Sequence, residues 1–293
     1  MPLPLHNPGA ELFVPDGRAP DEALARVTHV GVGAHADDLE LMAFHGIAHC
    51  LATPGCWFGG VVASDGARAP RTGRFAGLSD AELREVRRAE QRAAAVRGRY
   101  AAVAQLDYAS PAIVAGDARL VDDLFHFLHA SRPRVVYTHD PADRHASHVA
   151  TCAAAIAALR RRPAEWRPAR VYGCEVWRSL DWLAESDRVR LDVSGHDDTW
   201  RALLACFPSQ IEGARPYEAG AIGRARGNAV FSEPRAAGGG GGTWLAMDLT
   251  PLVRDAELSL EEFVRERVAR FAAEVVPAER APGARSPRSS GTR

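Results

Sequence analysis

The 293-residue sequence contains no lysine, and all 36 of its basic residues are arginines. Without a lysine amine, Schiff-base enzymes, P-loop nucleotide hydrolases and enzymes with a serine–lysine nucleophile are excluded. Cysteine is scarce as well, with five residues and no C-x-x-C spacing. This odd count predicts reduced thiols and argues against a disulfide framework or a thiolate zinc site.

Excess charge and long apolar runs are also missing. The formal net charge is −1, so no overall field attracts nucleic acid or an anionic membrane. No apolar run reaches the roughly 18 residues of a membrane-spanning helix. The opening residues, MPLPLHNPGAELFVPDG, lack the basic and apolar segments of a signal peptide. We therefore expect a cytoplasmic protein that acts on a small molecule, without nucleic-acid or membrane partners; homo-oligomer formation stays open.

Short apolar runs alternate with longer amphipathic runs through the first two thirds of the chain. Predicted strands cover residues 27–34, 57–64, 100–106, 133–139, 169–177 and 188–194. Predicted helices cover residues 39–52, 78–98, 117–131 and 145–161. The alternation favours an α/β, Rossmann-like three-layer fold with a mostly parallel sheet covered on both faces.

Beyond the alternating part, the pattern becomes helical and less regular. We predict an N-terminal extension over residues 1–26, a catalytic core over 27–195, a helical or mixed C-terminal part packing on the core over 196–276, and a disordered tail over 277–293. A final amphipathic helix is expected over 258–274. Five consecutive glycines, Gly238 to Gly242, predict a flexible loop.

The first predicted strand runs into GVGAHADDLE (31–40), for which two interpretations compete. GVGAHA fits the dinucleotide fingerprint G-x-G-x-x-A, in which a helix N-terminus holds a pyrophosphate. Asp37, Asp38 and Glu40 in this turn would repel a diphosphate, and no acidic ribose ligand follows about 20 residues later. The sequence therefore favours the second interpretation, a metal site.

A metal site is plausible because His35 and Asp38 offer a nitrogen and an oxygen ligand at one strand-to-helix turn. Asp37 between them can face a metal-bound water. The structural alternative is that either aspartate only caps the first helical turn. His145 and His148 open a helix after another predicted strand, at the same carboxyl edge of the sheet. Three protein ligands plus water is the pattern of catalytic zinc.

Two motifs in this order resemble the LmbE-like, or PIG-L, deacetylase family. AHADDLE (34–40) corresponds to the family's A-H-P-D-D-x-E, and HASH (145–148) to its H-x-x-H. Further landmarks of the family fit at SDG (64–66), at Arg87 and Glu90 of an R-x-x-E helix, and at Asp107. The resemblance covers residues 27–175 and extends through 172–183. Paired motifs in order are more specific than either motif alone.

The resemblance implies a metal-dependent hydrolase that removes an N-acetyl group from a small amino sugar or sugar conjugate. It implies that His35, Asp38 and His148 bind one divalent metal, zinc or another ion such as Fe²⁺. It also implies that Asp37 is the general base. His145 would then stabilise the oxyanion or protonate the leaving amine.

Two positions depart from the family pattern. Ala36 replaces the usual proline, which changes the turn without removing a ligand. Ser147 stands where many members have an aspartate that orients the catalytic histidine. Asp140 or Asp143 could instead orient His145 as a partner behind the metal ligands.

Substrate-contacting residues are less well defined by sequence. The candidates are Asp65, Arg87, Asp107, Trp177 and Arg224. His139, which starts the second motif, is a further candidate for contact with metal or substrate. We expect an acidic cleft roofed by helical residues 196–233, and hence a neutral or cationic substrate. An esterase or amidase on the same site, or a non-catalytic metal-binding module, remain the alternatives; Asp37 argues against the module.

Overall fold

The computed structural model describes residues 3–212, 217–232 and 241–276. Within these ranges the strands are β1 (Glu11–Phe13), β2 (His29–Gly33), β3 (Phe58–Ser64), β4 (Ala102–Tyr108), β5 (Val135–His139), β6 (Arg170–Cys174), β7 (Val189–Asp192) and β8 (Thr243–Asp248). The predicted disordered tail, 277–293, and residues 238–240 of the glycine run lie outside the described residues.

The α-helices of the described ranges alternate with the strands in the first half of the chain. They are α1 (Pro20–Ala25), α2 (Asp38–Met42), α3 (Phe44–Ala52), α4 (Asp80–Arg97), α5 (Ser110–Val114), α6 (Ala118–Ser131), α7 (Ala146–Arg160), α8 (Asp197–Leu204), α9 (Pro208–Ile211), α10 (Tyr217–Ser232), α11 (Thr250–Arg254) and α12 (Leu260–Val275). Among the described residues, no helix combines the length and the apolar character needed to cross a membrane.

The strands form one sheet in the order β1-β4-β3-β2-β5-β6-β8-β7. The inner strands β4, β3, β2, β5 and β6 pair in parallel, whereas β1 pairs antiparallel with β4 and β8 antiparallel with β6 and β7. Neighbouring residues of one strand point to opposite faces. Thus Val61 and Val62 belong to two different buried clusters, one under each helical layer. The predicted mostly parallel α/β fold is confirmed.

Three local features differ from the sequence-based expectation. β1 and β8 were not predicted, and the single helix expected over 39–52 is divided at Ala43. β8 contains four consecutive buried residues, a run whose periodicity fits a helix or a strand equally well. At the division, the indole Nε1–H of Trp200 donates to the carbonyl of Glu40, which a continuous helix would pair with its own backbone. Both outcomes depend on contacts distant in sequence.

Candidate metal centre and active site

Two segments that follow neighbouring strands form the candidate site. β2 and β5 pair in parallel, so their carboxyl ends meet at one edge of the sheet. β2 leads into the turn before α2, and β5 leads through residues 140–145 into α7. This arrangement places His35 beside His148, which is 113 residues away in sequence.

Ligand atoms of His35, Asp38 and His148 lie at the separations that a tetrahedral metal requires. His35 Nδ1 is 3.1 Å from Asp38 Oδ2 and 3.2 Å from His148 Nε2. His148 Nε2 is 3.4 Å from Asp38 Oδ1. Zinc bonds of about 2.0–2.1 Å at tetrahedral angles place neighbouring ligand atoms about 3.3 Å apart. The two distances to Asp38 involve its two different oxygens, so each pair of side chains, taken separately, matches the ligand spacing around a zinc-sized ion.

Two combinations of three side chains, with one ligand atom each, lie within 4.8 Å of one another: His35 with His145 and His148, and Asp38 with His139 and His148. Each contains two of the three ligands predicted from the sequence. His139 Nε2 lies 3.2 Å from Asp38 Oδ2 but accepts the backbone N–H of Ala34 at 3.0 Å, which engages its lone pair. The buried His139 ring stacks on His148 with 3.7 Å between centroids. His139 therefore contacts two candidate ligands without presenting a free lone pair to the ion.

Asp38 is held as a carboxylate. Burial alone would raise the pKa of Asp38, but the three neighbouring imidazoles hold it well below the usual carboxyl range. Its Oδ2 also accepts the backbone N–H of His35 at 2.6 Å. Asp37 occupies the N-cap position of α2 yet makes no side-chain cap hydrogen bond. The capping alternative therefore accounts for neither aspartate.

Asp37 combines an unusual backbone with a buried carboxylate. Its φ of 88° lies in the left-handed region, which costs a non-glycine residue about 1–3 kcal/mol and is often found at functional sites. Its N–H donates to Gln91 Oε1 at 3.3 Å, and its Oδ2 lies 3.5 Å from Arg87 Nη2. Burial raises the pKa of Asp37 to about 6, with Arg87 opposing the shift and Asp38 adding to it. Such a carboxylate can exchange protons near neutral pH.

The ring of His145 is held by Ser147 and not by either aspartate considered from the sequence. His145 Nδ1 lies 2.8 Å from Ser147 Oγ. Asp143 instead accepts the backbone N–H of His145 at 2.8 Å and lies 3.7 Å from His148 Nδ1. Asp140 Oδ1 accepts the backbone N–H of Ala142. Asp143 thus supports the motif backbone and the candidate ligand His148.

A cavity of 290 Å³ opens over these residues. It is lined by His35, Asp37, Asp38, Leu41, Gly66, Arg68, Ala69, Pro70, Arg87, Ser110, His145, Trp177, Gln210 and Tyr217. The lining contains two aspartates, Asp37 and Asp38, and two arginines, Arg68 and Arg87. The acidic excess expected from the sequence is therefore not found. A divalent metal would make this cavity net positive.

Of the residues proposed from sequence to contact substrate, Arg87 and Trp177 line the cavity. The other three are engaged elsewhere. Asp65 pairs with Arg84 at 2.8 Å, Asp107 pairs with Arg88 at 3.2 Å, and Arg224 donates to the carbonyl of Val176. The pairing of Asp65 with an arginine explains why it adds no charge to the cavity.

Several lining residues were missed by sequence analysis. Gln210 and Tyr217 fall in the range expected to roof the cleft, but no local motif singled them out. Gln210 reaches the cavity because Glu90 accepts the hydroxyl of Ser209 at 2.6 Å and its N–H at 2.7 Å, tying α9 to α4. Arg68 lies in a loop without periodicity. Long-range contacts of this kind leave no short sequence signal.

Residues 30–159 match the family model described as PIG-L: GlcNAc-PI de-N-acetylase. This part, slightly less than half of the chain, is called the PIG-L region below. The PIG-L region contains every residue of the candidate metal centre, from the turn after β2 to the first turn of α7. No curated protein matches the chain.

Solved structures similar to the chain include different activities. One is the 4-carboxy-2-hydroxymuconate hydratase GalB from Pseudomonas putida KT2440, with 20% identity and a TM-score of 0.57, covering 76% of this chain and 95% of that one. Another is N,N′-diacetylchitobiose deacetylase from Pyrococcus horikoshii, with 17% identity, a TM-score of 0.55 and coverage of 76% and 85%.

A third similar structure is the zinc-inhibited form of teicoplanin deacetylase Orf2, with 18% identity, a TM-score of 0.52 and coverage of 75% and 98%. At these identities the likeness shows the Rossmann-like fold that the PIG-L region shares with them. Because that fold supports a hydratase and two deacetylases, activity has to be argued from the site.

Proposed function

We propose that this chain is a metal-dependent hydrolase that removes an N-acetyl group from a small amino sugar or sugar conjugate. The observation that carries the proposal is one cavity lined by two proposed metal ligands, His35 and Asp38, together with Asp37 and His145. The third proposed ligand, His148, is buried behind them, with its Nε2 3.2 Å from His35 Nδ1. The match of the PIG-L region to a family described as a de-N-acetylase supports the same reaction class.

We infer that His35, Asp38 and His148 bind the metal, zinc or another divalent ion such as Fe²⁺. Bound there, the ion would polarise the acetamide carbonyl and lower the pKa of a water toward neutrality. The three side chains supply two neutral nitrogens and one anionic oxygen, a donor set that suits these ions. Asp143 lies 3.7 Å from His148 Nδ1, which places a negative charge behind that ring.

Asp37 is the general base of the proposed mechanism. Its carboxylate takes the proton of the water that attacks the acetamide carbonyl. Arg87, 3.5 Å from Asp37 Oδ2, keeps that carboxylate aimed at the cavity. His145, whose ring centroid lies 5.0 Å from that of His35, stabilises the oxyanion or donates a proton to the departing amine. The products are acetate and a free amine.

The cavity supports a sugar-sized substrate. Its volume of 290 Å³ is at the lower end of the range for small-molecule sites. Trp177 and Tyr217 form one wall, with 6.0 Å between their ring centroids, and aromatic faces suit the apolar faces of sugars. The cytoplasmic location and the open question of homo-oligomers remain predictions from the sequence.

The deciding experiment measures acetate release from a panel of N-acetyl amino sugars, acetyl-lysine peptides and simple acetyl esters. The enzyme is stripped of metal and reloaded with zinc or Fe²⁺ in stepwise amounts. We expect metal-dependent acetate release, with the highest kcat/KM on an N-acetyl sugar. A higher kcat/KM on acetyl-lysine peptides or simple acetyl esters than on every N-acetyl sugar of the panel would overturn the substrate class. Absence of acetate release with either metal would overturn the deacetylase assignment.

A further inference from the structure

The hydroxyl of Ser147 joins the candidate metal ligand His35 to His145. We infer that Ser147 is a positioning residue that fixes both rings and leaves His145 with its proton on Nε2, as a hydrogen-bond donor to the cavity. This inference deepens the proposed function and rests on it for the assignment of His35 as a metal ligand. It also distinguishes between the two roles left open for His145.

The contacts of Ser147 are short and enclosed. Its Oγ lies 3.0 Å from His35 Nε2 and 2.8 Å from His145 Nδ1. The residue is 1% exposed, so water does not compete for these contacts. Ser147 lies in the first turn of α7, between His145 and the candidate ligand His148, and is therefore held by the same backbone.

The direction of the hydrogen bonds follows from counting protons. His35 Nδ1 faces Asp38 Oδ2 and His148 Nε2, so this nitrogen supplies the lone pair for the metal. A neutral imidazole then carries its proton on Nε2, which donates to Ser147 Oγ. Within the described residues these two ring nitrogens are the only hydrogen-bond partners of Ser147 Oγ, and the buried hydroxyl has no water to donate to. Its own proton is therefore donated to His145 Nδ1, the one nitrogen left to accept it. The proton of a neutral His145 is consequently on Nε2.

This arrangement assigns different roles to the two polar groups of the proposed reaction. An aspartate at position 147 would accept a hydrogen bond from the Nδ1–H of His145. The Nε2 of that ring would then have a free lone pair. Serine imposes the opposite tautomer, because its hydroxyl is donated to Nδ1. A neutral ring with a proton on Nε2 can donate a hydrogen bond to the oxyanion but does not act as a base. The proton delivered to the amine then comes from Asp37.

The first measurement uses the wild-type, zinc-loaded protein without substrate. Proton–nitrogen correlation NMR of ¹⁵N-histidine protein reports which ring nitrogen carries the proton, with signals assigned through His35→Gln and His145→Gln. We expect the Nε2–H tautomer for His145. A proton on Nδ1 of His145 would overturn the inference without any measurement of turnover.

The second measurement is zinc affinity by chelator competition. Ser147→Ala leaves the His35 ring without its partner, and loss of such a partner weakens metal binding about 10–100-fold. Ser147→Thr keeps a hydroxyl and should retain affinity near that of the wild type. His145→Gln is the matched control, because it leaves the contact between Ser147 and His35 intact. Wild-type affinity in Ser147→Ala would contradict the positioning role.

The third measurement separates this inference from the proposed function. Ser147→Asp should move the proton of His145 to Nδ1, and Ser147→Thr should preserve the wild-type tautomer. In Ser147→Thr we expect kcat within a few-fold of wild type, and in Ser147→Ala a fall in kcat with little change in KM. If the tautomers and affinities follow these expectations but no substrate releases acetate, the hydrogen-bond arrangement stands and the deacetylase proposal fails.

Discussion

Strand β2 has a histidine cluster at each end, and the two clusters differ in their carboxylates. At its amino end, His29 packs against His49, with 4.9 Å between ring centroids, and His45 contacts the hydroxyl of Tyr137 at 2.9 Å. We call His29, His45 and His49 the amino-end cluster. Just beyond the carboxyl end of β2, His35 begins the carboxyl-end cluster, which it forms with His139, His145 and His148 around Asp38.

The carboxylates reverse the pKa shift of one histidine in the carboxyl-end cluster, His148. In the amino-end cluster, burial and then repulsion from neighbouring imidazoles lower the pKa of His29 and of His45 to about 4. Asp192 offsets the shift of His45 only in part. In the carboxyl-end cluster, burial likewise lowers the pKa of His139, to about 4, and that of His145. At His148 burial acts in the same direction, but Asp38 and Asp143 outweigh it and raise the pKa. A buried carboxylate beside clustered imidazoles favours positive charge at that position.

The largest expected effect comes from removing the negative charge of Asp38. Asp38→Asn makes the carboxyl-end cluster resemble the amino-end one and removes the only anionic member of the proposed ligand set. We expect zinc affinity to fall by at least ~100-fold, beyond the loss seen for outer partners. Chelator competition measures it, and Asp65→Asn, which breaks an arginine pair outside the cavity, is the control. Retained stoichiometric zinc binding in Asp38→Asn would refute the ligand assignment.

Asp37→Asn tests the proposed general base, a carboxylate that lines the cavity and is not a proposed metal ligand. The amide is nearly isosteric but cannot take a proton from water, so kcat should fall about 10²–10⁴-fold while zinc binding persists. Steady-state acetate release and metal content are the two measurements. A kcat near that of the wild type would place the base on another residue.

The amino-end cluster predicts how stability depends on pH. The pKa of His29 falls from 6.5 in the unfolded chain to about 4 in the fold, so the unfolded state binds the proton first. The contribution of His29 is complete above pH 6.5 and is lost as the pH falls toward 4. Between pH 7 and pH 5 the free energy of unfolding should lose roughly 2 kcal/mol through this residue.

Urea unfolding of wild type and His29→Gln at the two pH values isolates this contribution. The variant should show a smaller loss of stability on acidification, whereas His126→Gln, on α6 and outside the amino-end cluster, should behave like the wild type. Equal pH dependence in wild type and His29→Gln would mean that the imidazole of His29 is not kept neutral by the fold.

The smallest effect concerns the charge of the cavity beside the carboxyl-end cluster. Arg68 is exposed, lines the cavity and adds to a charge that the metal already makes positive. Arg68→Gln should raise KM about 2–5-fold for N-acetyl sugars with a carboxylate or phosphate, as expected for an exposed charge pair, and leave neutral sugars unchanged. Arg265→Gln on α12 is the control. An equal change in KM for charged and neutral sugars would mean that Arg68 does not recognise the charge of the substrate.

The sequence by itself determined the parts of this protein that depend on local spacing. Alternating periodicities predicted the parallel core, because they reflect burial of each element. The motif around His35 and Asp38 predicted a metal centre, because polar ligands directly after adjacent parallel strands must meet at one edge of the sheet. The pair His145 and His148 predicted in the same way that the segment between β5 and α7 contributes to the metal centre.

Tertiary structure alone decided the contacts between distant segments. Ser147 bridges to His35 across 112 residues, and its neighbour in sequence, His148, reaches the same ring from the other side. β8 becomes a strand by pairing with β6 and β7, and Gln210 enters the cavity because Ser209 binds Glu90. None of these follows from local periodicity, because each depends on which surfaces of already formed elements meet when the core closes.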